Sequence, residues 1–177
     1  MRIRCGSAAV LGLFLMFLHT TRGADSDLSI TCEKKRIESH REPHPAGEFG
    51  TSKKTEKWGF SVSLENQGFN ALSNLEVKYV IFYKHEDLGV KGPPQKKTKT
   101  GSHTVDNIDS MGQTTFDTEP VVLSKDSLEG GAYFGNGAKS AVADTISGIW
   151  IRVYQNGALF TEYAYPSGLT STETWQE

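Results

Sequence analysis

Residues able to do chemistry gather in a few short stretches of this 177-residue chain. His40 and His44 in ESHREPHP stand four apart, with Glu38 and Glu42 beside them. Two imidazoles at that spacing meet on one zinc ion when a helix presents both on a single face, and Pro43 breaks any such helix. The stretch therefore reads as a solvated loop, and no metal site is expected. In EGGAYFGNGAKSAVAD, Gly130, Gly131, Gly135 and Gly137 precede Lys139 and Ser140, the outline of a loop that cradles phosphate. That motif requires glycine immediately before its lysine, and Ala138 stands there. With no βαβ unit in view, the glycines read as a flexible connection between strands, and no cofactor is expected.

Asp106, Asp109, Asp117 and Glu119 lie on neighbouring segments and offer the paired carboxylates that glycoside hydrolysis uses. In an acidic chain such groups more often form a solvated face. No G-x-S-x-G elbow or H-E-x-x-H helix occurs, and no nucleophile signature surrounds Cys32. No catalytic residue is assigned, and the chain is expected not to be an enzyme.

Two features suit binding instead. Lys91, Lys96, Lys97 and Lys99 cluster on a Pro-rich stretch that offers either an anion contact or a soluble turn. Trp58, Trp150, Tyr154, Tyr163, Tyr165 and Trp175 offer an aromatic platform. Trp58 shares its strand face with Phe60, Val62 and Leu64, which assigns it to the core. Trp150, Arg152 and Tyr154 alternate with Ile149, Ile151 and Val153 and are the residues assigned to an exposed or interfacial binding patch.

The elements that position these groups follow an export leader. Arg2 and Arg4 precede the uncharged run Ala8 to Leu18, and Thr21-Arg22-Gly23-Ala24 supplies small residues for cleavage after Gly23 or Ala24. The apolar run is about half the roughly 20 residues a membrane-spanning helix needs, so residues 1–24 read as a signal peptide and no stable span remains after cleavage. Neither Cys5 nor Cys32 directly follows the apolar run, where a lipid-modified cysteine would sit. Loss of Arg2, Arg4 and Arg22 leaves 16 Lys and Arg against 21 Asp and Glu, a net charge of −5 that argues against nucleic acid as a partner. Loss of Cys5 leaves Cys32 alone, so no internal disulfide forms, and its alternation with Leu28 and Ile30 points to a buried thiol or to a bridge between chains.

Beyond residue 25 the apolar pattern has a period of two, with no long helical recurrence, and residues 25–177 are expected to form a single all-β sandwich domain. Leu28, Ile30 and Cys32 begin a strand, and residues 37–55 lack periodicity, as a long loop would. Trp58 to Asn66 alternates cleanly. LEVKYVIFYK is apolar on both faces around Val80 and Phe82, which predicts a central strand with further cover over those two residues. Strands are predicted over residues 98–109 and 113–124, the second carrying Pro120 at an edge or bulge, since proline cannot donate to the ladder. Residues 129–144 form the Gly-rich loop. Asn156-Gly157 between two alternating segments predicts a β-hairpin. Some seven antiparallel strands result, which fits an immunoglobulin-like β-sandwich.

VSLENQGFNALSNLEVKYVIFYK, within residues 60–84, resembles the strand, Asn-x-Gly turn, strand pattern of immunoglobulin-like modules in bacterial surface and secreted proteins, cell-adhesion-related domains among them. The resemblance implies a spacer or binding unit and marks no active site. The Cys-Trp-Cys framework of antibody domains is missing. The expected role is that of a secreted or periplasmic, non-catalytic module whose partner is a protein, with structural or interaction duties in the cell envelope or outside the cell. A carbohydrate-binding module whose partner is a polysaccharide is the second expectation, and a small exported hydrolase the third.

Overall fold

The computed structural model describes residues 27–42 and 50–176. The leader, Cys5, Pro43 and His44 lie outside the described residues. In chain order the strands are β1 (Leu28–Arg41), β2 (Thr51–Asn66), β3 (Leu72–His85), β4 (Gln95–Ile108), β5 (Gln113–Asp117), β6 (Val121–Leu128), β7 (Ala141–Ala143), β8 (Thr145–Gln155) and β9 (Ala158–Tyr165), with a 3-10 turn at Ser167–Ser171. All described pairings are antiparallel and build two sheets. One runs β1-β2-β6-β7, with β5 also on β2; the other runs β4-β3-β8-β9. No helix among the described residues is long and apolar enough to cross a membrane.

Alternation makes the core. Phe60, Val62 and Leu64 of β2, each at most 1% exposed, face Val77 and Ile81 of β3 and Ile149, Ile151 and Val153 of β8. Burying one such side chain stabilises the fold by about 1.5–3 kcal/mol. A polar bond also links the sheets here: the Glu119 N–H donates to Tyr79 Oη at 2.9 Å. Burial pushes the Tyr79 phenol above its ordinary pKa. Tyr79 is the reason for the glycine across the ladder, because a Cβ at Gly101 would overlap its ring and hydroxyl.

Asn66 is wholly buried at the end of β2 and locks two turns together. Its Nδ2 donates to the carbonyls of Asn70, Ile108 and Asp109, and its Oδ1 accepts from the Gly68 N–H. At the hairpin between β8 and β9, Asn156 and Gly157 have φ of 51° and 81°, the signs a type I′ turn requires.

The cover predicted over Val80 and Phe82 is present, and the segment after β9 supplies it. Leu169 of the 3-10 turn and Trp175 pack with Val80, Phe82 and Trp150 on the outer face of the second sheet. Lys96 of β4 holds this segment through the Thr172 carbonyl at 3.2 Å and the Glu173 carboxylate at 2.9 Å. Gly148 permits the crossing, since a Cβ there would strike the Tyr165 carbonyl and Leu169.

Three strand expectations need correction. Residues 37–55 are not one long loop: β1 continues to Arg41 and β2 begins at Thr51, with Arg41 paired to Lys54. Both strands are polar on both faces there, so no apolar period marks them, while the backbone ladder pairs regardless of side chain. The Gly-rich loop gives up Ala141–Ala143 to β7, which pairs with β6. The strand expected over residues 113–124 is two, β5 and β6, which pair with successive stretches of β2 and are interrupted at Thr118 to Pro120. Thr118 bridges the gap, its N–H donating to the Phe60 carbonyl and its Oγ1 accepting from the Phe60 N–H, both at 2.9 Å.

Candidate functional site

The patch assigned to Trp150, Arg152 and Tyr154 does not form an exposed platform. Trp150 is 8% exposed, because Leu169 and Trp175 lie over its face of the sheet. Arg152 sits between two indoles, its guanidinium carbon 5.1 Å from the Trp150 centroid and 4.4 Å from that of Trp175, and its Nε donates to Glu162 at 3.2 Å. Tyr154 is half-buried under the Lys78 ammonium at 5.2 Å. The three share a face as alternation requires; Trp150 and Arg152 fasten the chain beyond β9, and Tyr154 packs against Lys78.

The acidic residues are likewise dispersed. Asp117 pairs with Lys35 at 2.9 Å and Glu119 with Lys99 at 2.7 Å. Asp109 accepts from the Asn107 amide at 2.7 Å. Glu38 pairs with Lys57, whose ammonium holds that carboxyl below its ordinary pKa, and His40 lies opposite Thr55 in the ladder. Among the described residues no group of three or more His, Cys, Asp and Glu is placed to hold a metal. Cys32 is half-buried; desolvation raises its thiol pKa, opposed by a hydrogen bond with Tyr163.

Two polar features emerge that the sequence did not announce. At the crossover from β7 to β8, Asp144 is buried, its side chain 4% exposed. Its Oδ1 lies 2.8 Å from His85 Nδ1 and accepts from the Glu86 N–H, and its Oδ2 accepts from the Ser124 N–H and Oγ. The groups are those of a Ser-His-Asp relay in the wrong order. Ser124 bonds the aspartate and not the imidazole, and His85 Nε2 faces Asp87 at 3.1 Å, so no hydroxyl is aligned for deprotonation. This corner ties the two sheets together.

The second feature is the polar half of β2. Counting back by twos from Phe60 puts Trp58, Glu56, Lys54 and Ser52 on the face that is core further along the strand. Register adds neighbours from either side. Arg36 and Val121 flank Trp58, Leu123 lies beside Glu56, and Arg41 and Lys125 flank Lys54. Residues directly opposite in an antiparallel pair share a face, so Arg41, Lys54 and Lys125 form a row of three cations abreast. Lys34 joins them with its ammonium 4.5 Å from the Trp58 ring centroid.

Among the described residues of this face one carboxylate answers these cations, and it is already engaged. Glu56 meets Lys54 Nζ at 2.6 Å and Arg36 at 3.5 Å, and accepts from the Trp58 indole N–H at 2.9 Å. The Lys54 hydrogen bond first, then the indole, lower its pKa to about 2. Arg41 donates to the neutral Ser52 hydroxyl, and among the described residues neither Arg41 nor Lys125 has an acidic partner. This face borders a cleft of about 410 Å³ closed on the far side by Asp144 and Ile146 at the start of β8. Trp58, assigned to the core from sequence, packs against the core cluster and is half-buried at the edge of that cleft.

No family model and no curated protein matches this chain. Among solved structures it is similar to a Northeast Structural Genomics Consortium target, at 11% identity and a TM-score of 0.39, over 86% of this chain and 97% of that one. It is also similar to a protein from Akkermansia muciniphila, at 12% identity and a TM-score of 0.29, over 85% of this chain and 77% of that one. Likenesses this distant leave the architecture to rest on the strand pairing itself.

Proposed function

We propose that this chain is an exported, non-catalytic, immunoglobulin-like β-sandwich module that acts by binding, in the cell envelope or outside the cell, on the inner face of the polar β1-β2-β6 extension. The observation that carries it is the row Arg41, Lys54 and Lys125. Like charges directly opposite one another destabilise a sheet, so a cation row with one saturated carboxylate beside it suits a surface that meets an anion. Support for the immunoglobulin-like assignment is the strand order. β1-β2 with β5 and β6, against β4-β3-β8-β9, corresponds to the A-B-E and C′-C-F-G order of such modules. Export is supported by the leader, from Arg2 through Ala24.

Two measurements test this. Mass spectrometry of protein expressed with its own leader is expected to give an N-terminus at Ala24 or Asp25 in the periplasm or medium; an uncut cytosolic chain overturns export. Retention of the exported chain on the producing cell, washed with rising salt, is expected to fall sharply in Lys54→Glu/Lys125→Glu. Equal retention of that folded variant and the parent removes the extension as the binding face.

A further inference from the structure

Resting on that assignment of the binding face, we infer that the cleft beside Trp58 takes an acidic sugar, a ring bearing a carboxylate or sulfate. Three features of the cleft converge on this chemistry. Its charge favours an anion: Lys34, Lys54 and Lys125 line it, its two carboxylates, Glu56 and Asp144, are already bonded within the fold, and Arg41 stands beside Lys54 on the same sheet face. An anionic group among them converts repulsion into charge-assisted hydrogen bonds, the stronger class. The floor suits a partly apolar body, because Leu123, Ile146 and Trp58, whose ring carries Lys34 at 4.5 Å, line the cleft. Its size, about 410 Å³, lies within the roughly 300–1,000 Å³ of small-ligand sites. That suits a short stretch of glycan.

An acidic peptide is the competing ligand, and the geometry favours it less. Extended peptides add to the free edge of a sheet and draw their affinity from main-chain hydrogen bonds. Here the cations stand across the face of three adjacent strands, with Lys54 on the middle one, already paired on both sides. A ligand reaching all three must lie over the side chains and cannot pair with the backbone. Glu56 contributes by position: it accepts one hydrogen of the Lys54 ammonium and the Trp58 indole N–H, leaving the other Lys54 donors, with Lys34 and Lys125, to meet the incoming anion.

The test titrates the full mature chain with six probes by calorimetry and tryptophan emission: a galacturonate hexasaccharide, a sulfated hexasaccharide, a neutral glucose hexasaccharide, monomeric glucuronate, hexaglutamate and inorganic sulfate. At least one acidic hexasaccharide is expected to bind and to shift emission, with the neutral sugar and sulfate at least tenfold weaker. Lys54→Gln and Lys125→Gln are each expected to cost about tenfold in affinity, the loss of one charge-assisted bond. Affinity is expected to fall with added salt. Trp58→Phe keeps a ring and is expected to retain binding while removing most of the emission change, which separates contact at this indole from contact at Trp150 or Trp175. Monomeric glucuronate matching the hexasaccharide assigns a free sugar as ligand; binding of the hexasaccharide alone assigns a polymer. Hexaglutamate binding as tightly as the acidic sugars overturns the sugar and leaves the face intact. Equal binding of the neutral sugar overturns the anionic ligand. Failure of both acidic sugars to bind overturns the inference, while the salt-wash assay still decides the binding face. Acidic-sugar binding unchanged in both lysine variants, with near-ultraviolet dichroism preserved, places the ligand elsewhere and overturns inference and face together.

Discussion

Strand β2 is one hydrogen-bonded ladder with two chemistries. From Phe60 to Asn66 its inward side chains are enclosed between the sheets, and Asn66 closes that end with four hydrogen bonds. From Thr51 to Trp58 the same face carries Ser52, Lys54, Glu56 and a half-buried indole. Backbone pairing runs through both halves, with β1, bulged between Arg36 and Glu38, on one side and β5 then β6 on the other. Pairing alone therefore does not decide where stability resides. Apolar enclosure does, and the half that lacks it is free to carry charge that a core would not tolerate.

The largest expected effect breaks the enclosed half. Leu64→Ala removes a fully buried side chain and is expected to cost about 3 kcal/mol by urea denaturation. Lys54→Ala, ten residues earlier on the same face, is expected to change stability by less than about 0.5 kcal/mol. Similar losses at both sites would erase the distinction between the halves. Next in size is Asn66→Ala, at about 2 kcal/mol, because the Gly68 N–H and the Ile108 carbonyl lose a buried partner. Tyr79→Phe keeps the ring and deletes the bond to the Glu119 N–H, with an expected cost of about 1 kcal/mol. A cost near zero would mean that this bond adds nothing to the other contacts that hold the sheets together.

The two halves were unequally legible. The alternation from Trp58 to Leu64, the Asn156-Gly157 turn and the two-sided apolarity of Val80 and Phe82 are local signals, and each appears in the fold as a core strand, a hairpin and a second apolar layer. What covers that layer was not legible, since the segment after Tyr165 offers only Leu169 and Trp175 as large apolar residues among small and polar ones. For the same reason Trp150 looked exposed: alternation says which face a side chain takes but not whether that face is covered. The polar extension failed differently. Parity from Phe60 already puts Lys54 and Glu56 beside Trp58, a signal present in KKTEKWGF. The cation row also needs Arg41 and Lys125 in register, and register between distant segments is set by the assembled sheet.

Smaller effects sharpen the comparison by changing its sign. Lys125→Gln relieves the repulsion with Lys54 directly opposite and is expected to raise stability by about 0.5 kcal/mol while weakening binding. No core position in β2 is expected to gain stability by losing a side chain's contacts. A loss of stability in Lys125→Gln would show that the row is neutralised within the fold, and the case for an external anion would lapse.

Glu56 gives the smallest effect and the one that depends on pH. Its folded pKa of about 2 lies below the roughly 4.3 of an unperturbed glutamate, so its ion pairs contribute stability above the unfolded value and lose it as pH falls toward 2. Solvent screening at this partly exposed site limits the contribution to about 0.3 kcal/mol. Urea midpoints of the parent and Glu56→Gln are expected to differ slightly at pH 6 and to converge near pH 2. Other carboxylates, Glu38 and Asp117 among them, titrate in both proteins and cancel in the difference. A gap that stays constant across this range would assign the effect of Glu56 to packing against Trp58 and not to the charge it places among the cations.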